Sequence, residues 1–382
     1  MKLPLAVATL FLVAGCSHVG YYLQAIGGQF EILKKRKPIA EVVADPSTSV
    51  KTRDRLALAL RIREFASREL KLPDNPSYRG YSALDRPFVL WNVFATPELS
   101  NTLTQWCFPV AGCINYRGYF DKRSAEAFAA SLKPQGYDVY IGGVPAYSTL
   151  GWFDDPILST FLHYPEVELA RLLFHELAHQ VVYVRDDSTF NESFATAVEE
   201  EGVRRWIAAA GSDKLKQDWQ QGQQRRRDFQ QLVLEYRAHL EDLYATASTA
   251  DEKRKRKAEI LRSLHDAYLR LKGSWGGFAG YDRWFAQQPN NAHIASIAIY
   301  TQLVPAFHAM LQRARGDLQA FYLQVKQTAK LPAAERRAYF DALSSCERAF
   351  PSAEAGEAIN GSDLLSRHRT DDAKHEDELR CP

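Results

Sequence analysis

Between Glu166 and Val182 apolar residues recur at three- and four-residue spacing with no internal Gly or Pro, among them Val167, Leu169, Ala170, Leu172, Leu173, Leu177, Ala178, Val181 and Val182. That pattern predicts a mostly buried helix of about 18 residues, and Pro165 suits its start. Residues 184–190 break the period with the polar run Arg185-Asp-Asp-Ser-Thr189. A second helix is predicted from about Asn191 to Ala210, closed by Gly211. With so short a connection the two helices lie roughly antiparallel, the end of the first beside the start of the second.

Other stretches of the chain carry their own periodicities. Thr52 to Leu70 is predicted as a helix with Leu56, Leu60, Ile62, Phe65 and Ala66 inward. Phe88–Phe94 and Tyr137–Ile141 read as strands, and Gly142 to Leu150, which contains Pro145 and Tyr147, as a candidate sheet edge. Residues 212–272 predict two long helices in a hairpin, a lid or side wall, with Lys253–Lys257 as its solvated face. From Asn290 to Phe307 the pattern is apolar on nearly every side, hence buried, yet it carries Asn291, His293 and Tyr300. A helix from Asp317 to Ala329 follows, and residues 351–382 form a polar tail expected to be disordered. The expected fold class is α+β, mostly helical, with a small sheet.

Composition narrows the setting. At 46% hydrophobic and 12% aromatic residues the 382-residue chain has ample material for a core. A net charge of +2 gives no electrostatic case for nucleic acid. The opening Met1-Lys2 followed by a short apolar run to Cys16 reads as an export signal of residues 1–15, and no later stretch is expected to cross a membrane. The ending Val13-Ala14-Gly15-Cys16 resembles a bacterial lipobox, which implies lipidation of Cys16 and anchoring there. Ser17 in the following position resembles the pattern sorted to the outer membrane, facing the periplasm. In an oxidising compartment Cys107 and Cys113 can pair across a turn, leaving Cys346 with Cys381.

The candidate chemistry sits on the two helices predicted over 166–182 and 191–210. In His175-Glu-Leu-Ala-His179 the imidazoles are one turn apart on one face and can share a Zn²⁺ ion, while Glu176 points into the neighbouring cleft as a general base. Glu192, at the start of the second helix, can reach the same ion. Two His and one Glu leave one position of a tetrahedral zinc for water. The plainer alternatives are satisfied core histidines and a helix-start carboxylate. Glu199, seven residues after Glu192, is a candidate to support a zinc His or to anchor a substrate amine; the bland reading is a solvated acidic face. Tyr147 is a further substrate-binding candidate, and Tyr300 a candidate donor to an oxyanion.

The combination of Cys16, His175-Glu-Leu-Ala-His179-Gln, Phe190-Asn-Glu-Ser-Phe-Ala195 and Asn290-Asn-Ala through Tyr300 resembles the aminopeptidase lipoproteins of the bacterial envelope. More distantly, Asn191-Glu192-x-Phe194-Ala195 is similar to the third-ligand helix of gluzincins. The resemblance implies a single zincin-like metallopeptidase domain over 16–350 with the helical hairpin inside it. It implies one zinc ion on His175, His179 and Glu192, Glu176 as base, and a peptide substrate. The spacing departs from the gluzincins, since His179 and Glu192 are only 13 positions apart, and their amine-binding Gly-Ala-Met-Glu-Asn motif has no clear counterpart. A zinc endopeptidase acting on envelope proteins, or a structural lipoprotein that keeps metal for stability, are the alternatives.

Overall fold

The computed structural model describes residues 4–108 and 112–349, with side chains over 20–108 and 112–343. The tail beyond residue 349, the Cys346–Cys381 pairing and the Cys16 thiol lie outside the described residues. The chain is mostly helical with small sheets. Helix α1, Pro4–Lys35, runs unbroken through the Gly15-Cys16 step. It is fastened to the body by buried Ile32, whose carbonyl accepts from Ser82 Oγ at 2.9 Å. Helix α2, Val50–Arg68, is capped by Ser49 and buries Leu56, Ile62 and Ala66 as the spacing predicts. It also buries Arg63 completely, a cost offset by donation to the carbonyls of Pro73, Asn75 and Ser77.

Strand β1, Leu90–Pro97, is the middle of a three-stranded antiparallel sheet between β2, Arg117–Tyr119, and β3, Tyr137–Val144. Asn92 pairs with Gly142 and Val93 with Ile141. β3 therefore has one edge without a strand partner among the described residues. Helix α3, Lys122–Leu132, covers one face of this sheet with Ala125 and Ala129. A separate two-stranded ribbon sets Trp106–Phe108 against Gly112–Ile114, where Cys107 and Cys113 face each other and are bonded. Lys37–Pro38, Gly80–Ser82 and Ile157–Leu158 form a third small sheet.

Helices α4, Glu166–Ala178, and α5, Ser188–Ala210, form the centre of the main core. They touch closely at Gly202, where a Cβ would lie 2.6 Å from the Phe174 ring and 2.8 Å from Leu70. Two boundaries differ from the sequence expectation. α4 stops at Ala178, so His179 is its cap rather than an interior residue, because the Gln180 N–H turns back to the Leu177 carbonyl. α5 begins three residues before Asn191, because Asp187 accepts from the Phe190 N–H and supplies the cap.

Helices α6, Asp213–Ala245, and α7, Ala250–Ser274, pack on each other through Phe229, Val233, Leu240, Leu264 and Tyr268. A capping box of Thr249 and Glu252 starts α7. The basic run on α7 is not a purely solvated face. Lys257 is buried against Asp138 of β3 at 2.6 Å, and Arg254 pairs with Glu98 at 2.9 Å, so charge fixes this helix to the sheet. Helices α8, Asn291–Thr301, and α9, Val304–Arg313, follow. By length and composition the joined stretch Asn291–Arg313 is apolar enough to cross a membrane, which corrects the expectation that no later stretch is. It is largely buried inside the fold, so its apolarity is that of a core segment. Helices α10, Leu318–Thr328, and α11, Ala333–Ala349, close the core with Phe321 and Phe340.

Candidate metal centre

His175 and His179 project from one face of α4 because four residues make about one helical turn. The His179 N–H still bonds to the His175 carbonyl at 3.3 Å, so the ring keeps helical register although the helix ends beside it. Beyond that end, Asn191 holds the connecting loop from both sides. Its side chain accepts from the Val184 N–H and donates to the Val184 carbonyl, each at 2.8 Å. Asp187, the cap of α5, is in turn gripped by Arg336 of α11 at 2.8 and 3.0 Å. The loop is thereby fixed, and Glu192 enters the space between the rings.

The three donor groups meet. His175 Nε2 lies 3.2 Å from His179 Nε2 and 3.2 Å from Glu192 Oε2, and His179 Nε2 lies 3.8 Å from that oxygen. Ligands about 2.0–2.1 Å from a tetrahedral zinc would stand about 3.3 Å apart. The two imidazoles match that separation and the carboxylate is slightly wide of it for one of them. Among the described residues this is the group of His, Cys, Asp and Glu side chains able to hold a metal ion. Two facing imidazole nitrogens, which cannot both be protonated comfortably at 3.2 Å, and a carboxylate beside them make a donor set that could hold a cation.

Behind the first histidine a charged chain sets its orientation. Glu199 Oε2 is 2.9 Å from His175 Nδ1, and Arg171 Nη1 is 2.9 and 3.0 Å from the two Glu199 oxygens. Arg171 also donates to Glu168, and Arg226 of α6 reaches Glu199 at 3.5 Å and Glu168 at 3.4 Å. With Nδ1 held by Glu199, the ring presents Nε2 to the centre. Glu199 is nearly sealed from solvent and both its oxygens are engaged. Of the two roles expected for Glu199, these contacts with His175 and two guanidinium groups are those that support of a histidine requires, and its carboxylate also lines the cavity.

These contacts govern protonation in the metal-free centre. Burial works against a charged His175, but hydrogen bonds to Glu192 and Glu199 outweigh it and hold the pKa up at about 10. Burial also opposes ionised Glu199, yet the Arg171 charge and the His175 hydrogen bond bring it down to about 2. His179 is pushed down by burial to about 4, and its Nδ1 has no hydrogen-bond partner. Glu176 is buried beside the centre, and burial raises its pKa to about 8.

A cavity of about 870 Å³ opens on this centre. Glu176, Glu192 and Glu199 are its carboxylates, and aromatic rings including Phe94, Phe229 and Trp284 make much of its wall. Gly142 to Ser148 line it, so the strandless edge of β3 runs along the cavity. Tyr147 is in that wall, its hydroxyl donating to Gln29 of α1. Tyr300 also lines the cavity. Ser193, next to Glu192, donates to the Ile299 carbonyl at 3.4 Å and accepts from the Leu303 N–H at 3.2 Å, which fastens the end of α8 here. Burial raises the Tyr300 pKa, with the Glu192 charge the next cause, so the phenol keeps its proton as a donor must. Tyr116 shows the same pair of causes and is a second phenol at the centre.

The sequence reading missed Arg171, Arg226 and Tyr116. Arg171 carried a legible signal, since 171, 175 and 179 form one four-residue stripe on an otherwise apolar helix. Arg226 and Tyr116 come from distant segments and carried none.

A family model described as "Putative aminopeptidase" matches residues 20–340. The chain belongs to this family. The match takes in His175, Glu176, His179, Glu192, Glu199, Tyr147 and Tyr300, and begins four residues after Cys16. No curated protein and no solved structure matches the chain.

Proposed function

We propose that this member of the aminopeptidase family is a zinc-dependent peptidase, exported and held in the bacterial envelope through lipidated Cys16, on the periplasmic side of the outer membrane. The observation that carries the catalytic part is the meeting of His175 Nε2, His179 Nε2 and Glu192 Oε2 at zinc-ligand separations. A two-His, one-carboxylate set suits zinc, and a set of three leaves room for catalysis. The ion would supply Lewis acidity, acidifying water and polarising a carbonyl oxygen.

The chain's own residues do the rest. Glu176 takes the proton of the attacking water and returns it to the departing amine. Its burial favours the neutral acid, and with a cation on His175, His179 and Glu192 it would be the carboxylate that the first of these steps needs. Tyr300 donates its phenol hydrogen to the oxygen that becomes negative as the carbonyl is attacked. Glu199, Arg171 and Arg226 keep His175 in the orientation that presents Nε2. The β3 edge at Gly142–Val144 pairs with the peptide backbone, which fixes the scissile bond beside Glu176.

Aminopeptidase action agrees with the family, and it needs a carboxylate for the substrate's free amine. The engagement of Glu199 favours a second reading, an endopeptidase, because the other two cavity carboxylates are the base and a ligand. Comparing amino-acid p-nitroanilides with amino-blocked peptides separates the two. Cleavage of the anilides alone supports the aminopeptidase, and equal cleavage of blocked peptides replaces it with the endopeptidase.

A further inference from the structure

Helix α1 is docked by one side only. Tyr21 stacks on Phe108 and lies under the Arg117 guanidinium, Gln24 accepts from the Phe120 N–H at 2.9 Å, and Gln29 receives the Tyr147 hydroxyl. Tyr21 and Ala25 also line the cavity. On the outward side Leu23, Ile26 and Phe30 are 64%, 61% and 69% exposed, with Tyr22 beside them. Spacings of three and four residues make them one stripe. A second exposed apolar element is tied to the foot of α1. The turn Thr149–Asp155 carries Trp152, 72% exposed, and Phe153, and Arg36 at the foot of α1 pairs with its Asp154 at 3.3 Å. Hydrogen bonds between Thr149 and Phe153 hold the turn in shape, so the two rings are presented by a fixed element. Six of the ten large exposed apolar side chains among the described residues thus belong to α1 and the turn tied to it.

What covers such a face is indicated by where it begins and ends. Cys16 lies seven residues, two helical turns, before Leu23 in the same register, roughly 10 Å along the axis. Exposed Lys34 and Lys37 follow Phe30, suited to anionic headgroups, and Trp is the side chain most at home at a lipid–water boundary. We propose that the outward stripe of α1, with Trp152 and Phe153, lies in the headgroup layer of the bilayer that holds Cys16, so that the cavity borders the lipid surface instead of swinging on a tether. A helix of this kind buries its apolar side at the headgroup boundary and strengthens the hold of an acyl anchor. The docking goes beyond the peptidase reading and rests on its anchoring part.

The test adds vesicles of phosphatidylethanolamine and phosphatidylglycerol with brominated acyl chains to the purified full-length protein. Trp152 emission is read as the difference between wild type and Trp152→Phe, and the mass of the Cys16 peptide is measured in the same samples. The docked arrangement predicts that the Trp152 emission is quenched. The double variant Leu23→Asp, Ile26→Asp should lose most of that quenching while keeping the acyl mass and its circular dichroism spectrum. Val50→Asp with Leu323→Asp, which removes equally exposed apolar residues elsewhere, should keep it. Absence of quenching in wild type, its persistence in the α1 variant, or a solution dimer that ignores vesicles overturns the docking. Quenching without an acyl mass on Cys16 supports the docking and overturns the anchor.

Discussion

Two pairs of antiparallel helices dominate this molecule, and they are built on opposite terms. α4 and α5 are buried on almost every side, meet at Gly202 where there is no room for a methyl group, and bring their polar residues to one centre. α6 and α7 are amphipathic, longer and charged outside, joined by a capped turn, and send Arg226 to that centre. The difference teaches where placement comes from. A donor atom must be held to a few tenths of an ångström to share an ion, and packing on all sides supplies that. The outer pair can tolerate more play because it supplies cavity wall and the Arg226 guanidinium, whose contacts at 3.4 and 3.5 Å are looser than those of the donors.

Substitutions should therefore hurt far more in the inner pair. The largest effect is expected for His175→Ala or His179→Ala, which should lose both bound zinc and peptidase activity to background, as read by metal analysis and a turnover assay. Loss of activity with full zinc content would break the contrast. Next comes Glu176→Gln, which should keep zinc and lower turnover by about 10²–10⁴-fold, the usual worth of a general base.

How far the sequence foretold this contrast depends on the range of each signal. The four-residue step from His175 to His179 and the position of Glu192 after a short polar loop are local, so the cluster was legible before any coordinates. The helix ends were less so: Asp187 caps α5 and the chain turns at Gln180 through contacts a periodicity does not contain. The long amphipathic helices were readable from their spacing. Their attachment was not, because Lys257 meets Asp138 across 119 residues of sequence. Glu199 was placed on the face that turns to the centre and given two roles, and the Arg171 and Arg226 contacts that engage its carboxylate were not visible in the spacing.

A smaller effect sharpens the comparison along the charged chain that links the two pairs. Glu199→Ala should weaken zinc affinity by about 10–100-fold through His175, and Arg226→Ala, whose contacts are 3.4 and 3.5 Å, by less. Competition with a chelator measures both, and equal losses would show that the outer pair sets the geometry as strongly as the inner one.

Acid and base probe the same link. Glu199 at about 2, below its ordinary 4.5, gives the metal-free fold stability that is present above pH 4.5 and lost as pH falls through 2. His175 at about 10, above its ordinary 6.5, gives stability present below 6.5 and lost as pH rises through 10. The two shifts overlap in the His175–Glu199 hydrogen bond, which counts once, while Arg171 acts on Glu199 alone. Zinc must displace the proton on His175 Nε2, so loading should release a proton and tighten as pH rises toward 10. Titration calorimetry in buffers of different ionisation heat reads that proton, and pH-independent affinity between 6 and 9 would contradict it, a window set by the about 10 of His175. The smallest expected effect is Gly202→Ala, about 1–3 kcal/mol of lost stability in thermal unfolding, because the new methyl group meets the Phe174 ring.

X-ray absorption at the zinc edge of the metal-loaded protein asks the central question most directly. The account predicts one zinc per chain with two imidazole nitrogens and one carboxylate among its ligands, and loss of the carboxylate signal in Glu192→Ala. A chain that takes up no zinc, or a spectrum without histidine ligands, would contradict it.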